Sequence, residues 1–368
     1  MIRSKTLRRV ASVGAALVAT AGLMATTSSP AGAGPIDSST LIFVPYNGQT
    51  YTIWRNGNTA TPAYFSASKM IEGDFGGPNG TDVFLYNPGS GSDGILSVTA
   101  NVANFTYSFR SETINGSYTP VVGDFDGNAI DDILWYAPGT GPDSIWLFKA
   151  NGTHTTKSVT INGTYKPTAI NVDGDGYTDI VWYAPGTAPD SIWEFGPNAT
   201  PTPRSITING TYQLIPGHFS DVAEGSPQRR LMFFNKAGAD SIWTFDSSGN
   251  HTSAALPNID GNFTPIVGEF ASPDRDAVLF YRPGTASERY LSFAANGSVS
   301  QLEAPNVNGT YDPEVGDYDG NGYDDIAWAS GGKAVLWKFT SGGYSQQNIT
   351  TSTVNTRPVS IHPFRYPA

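Results

Sequence analysis

Short apolar runs alternate with clusters of turn-forming residues along the chain from residue 39 onwards. In one stretch the runs cover 120–124, 133–137, 144–149 and 155–161, with Gly, Pro, Asn and Asp between them. Runs of this length, bounded by turn residues, are typical of β-strands. No stretch beyond the N-terminal segment shows the 3.6-residue apolar period of an amphipathic helix. The pattern therefore predicts short strands joined by turns, four in each such stretch.

This four-strand pattern recurs along the chain at a nearly constant spacing. The segment that begins Asp132-Ile-Leu-Trp-Tyr-Ala-Pro-Gly-Thr, for example, returns almost unchanged from Asp179. Four antiparallel strands in each repeat, with a period of 47–51 residues, indicate the blade of a β-propeller. The residues equivalent to Asp124 mark six units: Asp74, Asp124, Asn171, His218, Glu269 and Asp317.

The two ends of the repeat region each hold part of a blade. Segment 41–54 matches 133–146 in length but has no first strand before it, and 358–364 resembles that missing strand. Pairing the tail with the head would close the ring and leave no open sheet edge around it. The sequence therefore predicts an all-β, seven-bladed β-propeller of four-stranded antiparallel blades. Its closing blade is expected to combine 39–69 with 357–364.

The first 33 residues have the features of an export signal. Four basic residues precede an apolar run over 10–24, and residues 31–33 are small enough for a cleavage site. A retained membrane anchor is the alternative, but the run is short for a span. We interpret 1–33 as a signal peptide and 34–368 as the propeller. The mature protein is expected to be secreted and extracellular, with no stable membrane insertion.

Composition narrows the range of partners. The chain has 32 acidic and 21 basic residues, a net charge of −11, and four of the basic residues lie in the signal peptide. An acidic chain without a basic patch argues against nucleic acid as a partner. There are no cysteines. An exported chain of this kind therefore depends on its core, on metal ions or on ring closure instead of disulfides.

Three of the repeats carry an acidic loop with the spacing D/N-x-D-x-D/N-x-x-x-D. Calcium prefers six to eight oxygen ligands, and a tight loop can direct alternate side chains to one point. A backbone carbonyl at the seventh position would complete each set, whereas magnesium would lose too many of its waters. The predicted calcium ligands are Asp124, Asp126, Asn128, Ile130 and Asp132; Asn171, Asp173, Asp175, Tyr177 and Asp179; and Asp317, Asp319, Asn321, Tyr323 and Asp325.

Two other interpretations of the acidic loops are an EF-hand and a plain turn. The EF-hand is excluded because position twelve, which needs a bidentate carboxylate, holds Trp135, Trp182 or Trp328. A turn without an ion is the remaining alternative, although clustered carboxylates repel one another unless a cation neutralises them. The other repeats keep only fragments of the pattern: Asp74 with Asp82, His218 with Ser220, and Glu269 with Ala271.

The acidic loops, the blade-length period and the Gly-Asp-Phe-Asp-Gly stretch at 123–127 resemble the FG-GAP and VCBS repeats of integrin α-subunit-like propellers. The resemblance extends over 39–364. It implies the seven-bladed fold and calcium in the three intact loops. Family members include adhesins, lectins, surface-anchored proteins and non-catalytic modules of polysaccharide-degrading enzymes, so the resemblance does not select a ligand.

Loops of an up-and-down blade alternate between the two faces of the disc. The acidic loops occupy one face, and the opposite face, which we call the rim face, carries the second-to-third-strand loops and the connections between blades. Its polar groups and aromatic rings suit neutral carbohydrate. The alternative is structural, with aspartates capping strands and tyrosines wedged between blades. The candidate ligand-binding residues are Asp143, Asp190, Asp240, Tyr118, Tyr165 and Tyr212.

No catalytic constellation accompanies the repeat. The four histidines are scattered, and the sequence holds no nucleophile elbow, His-Glu-x-x-His motif or phosphate-binding loop. The sequence therefore favours a secreted, calcium-binding propeller that binds neutral glycans or cell-surface polysaccharide as a lectin or adhesin. One alternative is an extracellular scaffold for protein partners. The other is a polysaccharide lyase or glycoside hydrolase, because paired carboxylates can come from different blades.

Overall fold

Strands are the main regular structure of the described chain. The computed structural model describes residues 40–45, 52–55, 58–60, 67, 69–77, 82–100, 105–186, 188–220, 230–304, 306–330, 333–350 and 356–361. The strands are numbered β1 to β28 along the chain, and one short 3-10 turn covers Pro197–Ala199. Among these residues no helix has the length and hydropathy needed to cross a membrane. The predicted signal peptide, 1–33, lies outside the described residues.

Six blades follow one another along the chain, each a sheet of four consecutive antiparallel strands. Blade 1 contains β4 (Lys69–Gly73), β5 (Asp82–Tyr86), β6 (Asp93–Ala100) and β7 (Phe105–Glu112). Blade 2 contains β8 (Thr119–Gly123), β9 (Asp132–Tyr136), β10 (Asp143–Phe148) and β11 (His154–Val159). Blade 3 contains β12 (Lys166–Ile170), β13 (Asp179–Tyr183), β14 (Asp190–Gly196) and β15 (Thr200–Ile206).

The second half of the chain repeats this arrangement. Blade 4 contains β16 (Gln213–Gly217), β17 (Arg230–Phe234), β18 (Ser241–Phe245) and β19 (His251–Ala255). Blade 5 contains β20 (Thr264–Ser272), β21 (Arg275–Tyr281), β22 (Arg289–Phe293) and β23 (Val299–Glu303). Blade 6 contains β24 (Asp312–Gly316), β25 (Asp325–Ser330), β26 (Lys333–Thr340) and β27 (Gly343–Thr350). The predicted β-propeller of four-stranded antiparallel blades is confirmed.

The two ends of the described chain form one further sheet, which we call the closing sheet. Its strand order is β28 (Thr356–Ile361), β1 (Thr40–Pro45), β2 (Thr52–Arg55) and β3 (Asn58–Ala60). β1 pairs antiparallel with β28, with Thr40 opposite Ile361. β28 also lies beside β24 and β4, the first strands of blades 6 and 1. The tail of the chain therefore joins its head between these two blades.

The predicted count of seven blades needs correction. Only six stretches of the described chain, from β4 to β27, fold as complete copies of the repeat. Within the described residues the head contributes three short strands, and the strand paired with β1 comes from the far end of the chain. The structure thus has six blades and a composite closing sheet. In that sheet the side chain of Ile42 is described, and it is buried.

The core lies between adjacent blades. Because successive side chains of a strand point to opposite faces, each inner strand packs on both of its neighbours. Val121 of blade 2 packs in the cluster shared with blade 3, and Val122 in the cluster shared with blade 1. Large rings fill these junctions, and the centroids of Trp135 in blade 2 and Phe84 in blade 1 are 5.2 Å apart. Burial of apolar surface between blades therefore stabilises the ring.

A buried tyrosine hydroxyl fixes the chain where it leaves a blade. Tyr136 Oη donates to the carbonyl of Gly163 and accepts the N–H of Tyr165, both at 2.8 Å. Gly139 and Gly163 exchange two backbone hydrogen bonds, at 2.7 and 2.9 Å. Gly163 has a φ of +132°, which favours glycine at this close approach. The same hydroxyl contact recurs at Tyr86, Tyr183 and Tyr281, with Gly116, Gly210 and Gly309.

Replacing Tyr136 with Phe is expected to lower the free energy of unfolding by about 1–2 kcal/mol, because the bridged carbonyl and N–H each lose a partner. Urea unfolding followed by tryptophan fluorescence measures this change. Tyr165→Phe is the matched control, since its hydroxyl lies at the surface, 3.4 Å from the Asn162 carbonyl. That variant should change stability by less than about 0.5 kcal/mol. Equal losses in the two variants would contradict the hydroxyl bridge.

Candidate functional site

The first acidic loop, 124–132, joins β8 to β9 and folds around its own side chains. Asp124 Oδ1 accepts the N–H groups of Gly127 and Asn128, at 2.7 and 3.1 Å. Asn128 Oδ1 in turn accepts the N–H of Ile130 at 2.8 Å. Asp and Asn commonly form such local bonds in tight turns. The backbone of the loop therefore wraps around the carboxylate of Asp124.

Three carboxylates converge in each of two loops. Within each loop one oxygen from each of three aspartates lies within 4.8 Å of the others. The first and last aspartates of each group are buried and the middle one is half-buried. We call these groups the blade 2 triad, which is Asp124, Asp126 and Asp132, and the blade 6 triad, which is Asp317, Asp319 and Asp325.

The donor set of the triads suits a hard divalent cation, since calcium takes carboxylate and carbonyl oxygens. In the blade 6 triad, Asp319 Oδ1 is buried and has no hydrogen-bond partner. The predicted ligands Asn128 and Asn321 lie beside the triads but donate Nδ2 to the carbonyls of Phe148 and Phe339, at 2.8 and 2.9 Å. Their Oδ1 atoms accept backbone N–H groups of Ile130 and Tyr323. The residues present therefore fit calcium.

The acidic loop of blade 3, 171–179, has asparagine (Asn171) at the position that Asp124 and Asp317 occupy in the other two loops. Within the described part of the chain, only the loops of blades 2 and 6 bring three carboxylates within 4.8 Å. Asn171 accepts the N–H of Gly174 at 2.6 Å, and Asp175 accepts that of Tyr177 at 2.9 Å. Asp173 accepts the N–H of Asp175 at 3.1 Å. The five predicted ligands of this loop, Asn171, Asp173, Asp175, Tyr177 and Asp179, thus share one loop without forming a third triad.

The last aspartate of each acidic loop ties two segments of its blade together. Asp132 accepts the N–H of Phe125 at 3.0 Å and that of Phe148, in β10, at 2.8 Å. In blade 3, Asp179 accepts the N–H groups of Val172 and Phe195 in the same way. In blade 6, Asp325 accepts those of Tyr318 and Phe339.

Burial is the main cause of a raised pKa at these aspartates. It raises the pKa of Asp132 to about 9 and those of Asp179 and Asp325 to about 8. The other carboxylates of each loop act in the same direction, while backbone hydrogen bonds oppose it. A bound cation would favour the charged form of all three.

A contact between blades that sequence reasoning missed runs through the same loops. Asp131 Oδ2 accepts the N–H of Asp74 in blade 1 at 2.9 Å, and the N–H of Asp131 donates to the Asp74 carbonyl at 2.7 Å. The same pair of bonds joins Asp276 to His218 and Asp324 to Glu269. These loops are therefore anchored on the preceding blade. The signal in the sequence is an acidic residue at the eighth loop position, which the calcium pattern leaves unspecified.

The three candidate aspartates of the rim face are structural residues. Asp143 accepts the N–H groups of Ala137 and Ile161, at 2.7 and 2.8 Å. Both carboxylate oxygens thus accept a backbone N–H, and the three aspartates are only 1–3% exposed. They therefore shape the rim face without presenting carboxylates on it. Asp190 and Asp240 make the equivalent bonds, to Ala184 with Ile208 and to Asn235 with Ile259.

The candidate tyrosines of the rim face lie at the blade junctions and reach the surface. The hydroxyls of Tyr118 and Tyr165 donate to the carbonyls of Asn115 and Asn162, at 3.3 and 3.4 Å, and both asparagines are exposed. Half-buried Tyr118, Tyr165 and Tyr212 pack edge-on against Trp135, Trp182 and Phe233, with centroids 5.6–6.1 Å apart. We call the repeated segments 115–118, 162–165, 209–212 and 308–311 the rim elements.

Comparison with solved structures agrees with the propeller fold. No family model and no curated protein sequence matches the chain, so the resemblance to FG-GAP and VCBS repeats stays a prediction. A lectin of Agrocybe aegerita, reported for its specific recognition of non-reducing terminal N-acetylglucosamine, has a TM-score of 0.68 at 13% identity, over 92% of this chain and 98% of the lectin. At this identity the similarity shows the fold alone.

Two further structures have lower TM-scores. A Lactobacillus plantarum protein has a TM-score of 0.45 at 12% identity, over 85% of this chain and 82% of its own. The Photorhabdus luminescens Tc holotoxin pore has a TM-score of 0.41 at 13% identity, over 85% of this chain and 16% of its own.

Asp143→Asn is expected to lower the free energy of unfolding by about 2–3 kcal/mol, because its amide group would face a buried backbone N–H as a second donor. Urea unfolding of the variant tests this structural assignment. Asn162→Ala, on the same face but with an exposed side chain, should stay within about 0.5 kcal/mol of wild type. Native stability in the Asp143→Asn variant would show that the carboxylate does not have this role.

Proposed function

We propose that the protein binds carbohydrate through the rim elements. The observation that carries the proposal is their repetition: four copies place an exposed asparagine three residues before a half-buried tyrosine. In Tyr118, Tyr165 and Tyr311 the hydroxyl also bonds to that asparagine's carbonyl, at 3.2–3.4 Å. An amide pairs with sugar hydroxyls, and a tyrosine combines an apolar ring with a polar tip.

The rigidity of the rim elements supports this assignment. Each is held by a buried tyrosine hydroxyl and by a glycine pair, such as Gly139 with Gly163. The copies therefore present their side chains in one geometry with little entropy to lose on binding. Several equal, weak sites on one disc would favour repetitive glycan surfaces through avidity. The aspartates predicted to bind a ligand on the rim face are buried, so we assign that role to the exposed asparagines instead.

The choice of sugar follows from charge and from the lectin with this fold. An acidic chain suits a neutral ligand better than a polyanion. The Agrocybe aegerita lectin recognises non-reducing terminal N-acetylglucosamine, which makes glycans with this terminus the first probes for this protein. We also propose that the protein acts outside the cell, because its first 33 residues have the features of an export signal.

A glycan array is expected to show binding to neutral glycans, with stronger signals for multivalent presentation. Removing the four rim amides together (Asn115→Ala, Asn162→Ala, Asn209→Ala and Asn308→Ala) should reduce the signal at least about tenfold, because each site loses its paired hydrogen bonds. The matched control is Asn151→Ala with Asn296→Ala, two exposed asparagines in turns between third and fourth strands.

Binding that survives in the rim variant but fails in the control would place the sugar on the opposite face. No glycan binding in either the wild type or the control would remove the carbohydrate proposal and favour a protein partner. Release of new reducing ends from a polysaccharide would show an enzyme instead.

We further propose that the acidic loops bind calcium, with the blade 2 and blade 6 triads as principal sites. The triads bring three carboxylates within 4.8 Å in each loop, an arrangement whose mutual repulsion a divalent cation would relieve. The loop 171–179 offers the same classes of oxygen ligand, with Asn171 in place of the first aspartate and Asp175 in place of the asparagine. An ion would be expected to stabilise the folded chain and the blade junctions that the loops anchor.

Removal of calcium with EGTA is expected to lower the melting temperature, and calcium in excess should restore it. A ligand at one hundred times its dissociation constant adds about 2.7 kcal/mol for each site that only the folded state offers. Differential scanning calorimetry with calcium, magnesium and EGTA measures the effect, with magnesium expected to act less because it keeps its waters. A melting temperature that changes with neither EGTA nor calcium would contradict the proposal.

A further inference from the structure

One position of the third strand lies next to the acidic loop in blades 2, 3 and 6. It stands between the tryptophan and the phenylalanine of a Trp-x-Phe segment. The phenylalanine donates its N–H to the last loop aspartate, at 2.8 Å from Phe148 to Asp132 and at 2.9 Å from Phe339 to Asp325. This position, which we call the strand-3 position, carries a different charge in each blade: Leu147, Glu194 and Lys338.

In blade 6 the strand-3 position already supplies a cation. Lys338 Nζ lies 3.3 Å from Asp319 Oδ2, and the two side chains are 26% and 27% exposed. The other oxygen of Asp319 is buried and has no hydrogen-bond partner. The ammonium group therefore neutralises part of the blade 6 triad while one oxygen of the same carboxylate stays available.

Blades 2 and 3 differ from blade 6 at this position. Leu147 is uncharged, so the strand-3 position contributes no cation to the blade 2 triad. Glu194 adds a negative charge that acts on Asp175, and Arg204 Nη2 holds it in an ion pair at 2.6 Å. The three loops share their ligand pattern and therefore differ in the charge placed beside it.

We propose that the strand-3 position sets the calcium affinity of each loop, and that Lys338 is a built-in counter-cation which calcium must displace in blade 6. The inference rests on the proposed calcium binding. Both cations compete for Asp319, and the displaced ammonium group remains close enough to repel the ion. The calcium site of blade 6 is then weaker than its carboxylates alone would form. When calcium is scarce, Lys338 still neutralises part of the negative charge of this loop.

The test replaces Lys338 with Leu, the residue that blade 2 has at this position. Calorimetric titration of the full chain with calcium chloride, after treatment with EGTA, should show one site tightened by about three- to tenfold, because the competing ion pair and the repulsion are lost. Melting in EGTA should show the opposite effect, a lower melting temperature than wild type, since the triad has lost its resident cation.

Lys149→Leu is the matched control, because it removes the same charge beside another acidic loop but outside the strand-3 position. Lys149 opposes the burial-driven rise in the pKa of Asp126, so a general effect of charge would appear in this variant too. Its calcium affinity and its melting temperature in EGTA should change much less than those of the Lys338 variant. Adding Asp319→Asn to Lys338→Leu should abolish the tightening.

Unchanged or weaker calcium affinity in Lys338→Leu would overturn the inference, as would an equal gain in Lys149→Leu. Failure of the calcium proposal itself looks different, because then neither the wild type nor the control takes up the ion. If Lys338→Leu alone binds calcium in that case, the counter-cation role is supported. If it also fails to bind, the inference is wrong.

Discussion

The structure depends on buried carboxylates that each accept backbone N–H groups from two separate segments. Asp132 joins the start of the acidic loop to β10, and Asp143 joins the loop after β9 to the strand exit at Ile161. A buried backbone N–H without a partner is costly, so each of these bonds favours the folded position of its segment. A chain without cysteines can therefore hold short strands in register at both faces of the disc.

Because of this arrangement, aspartates that look alike in sequence have different roles at the acidic loops and at the rim face. At the acidic loops, burial raises the pKa of Asp132 to about 9, so the scaffold role leaves a carboxylate that is costly to charge without a cation. At the rim face, Asp143 and its equivalents give both oxygens to the backbone. The exposed asparagines and the tyrosine edges of the rim elements are the groups through which we propose that carbohydrate binds. Chemistry at the rim is thus amide and aromatic in character.

The two faces are connected through the blade junctions. Asp131 anchors the blade 2 loop on the backbone of Asp74 in blade 1, while the rim elements span the same junctions on the other side. An ion in a loop would therefore support the geometry in which the rim elements are presented, without contacting a sugar itself. The charge at the strand-3 position adds a means of making the loops unequal while their ligand pattern stays the same.

Periodicity along the chain was sufficient to predict the four-stranded blade, the propeller and the pairing of tail with head, because repeats and strand alternation are local properties of sequence. Counting the blades needed the strand pairing itself, since the ends form a composite closing sheet and not a seventh copy. The acidic loops could be found by spacing, whereas the approach of three carboxylates to within 4.8 Å of one another in blades 2 and 6 is a property of the folded loops.

Burial decided the rest, because it depends on which blade packs against which. An aspartate after a turn has the same sequence signature whether it faces solvent or the backbone, and only the tertiary structure showed that Asp143, Asp190 and Asp240 face the backbone. The anchor at Asp131 and the ion pair of Lys338 with Asp319 join residues 57 and 19 positions apart. The sequence holds the acidic residue at the eighth loop position, but its partner in the preceding blade is set by the folded blades.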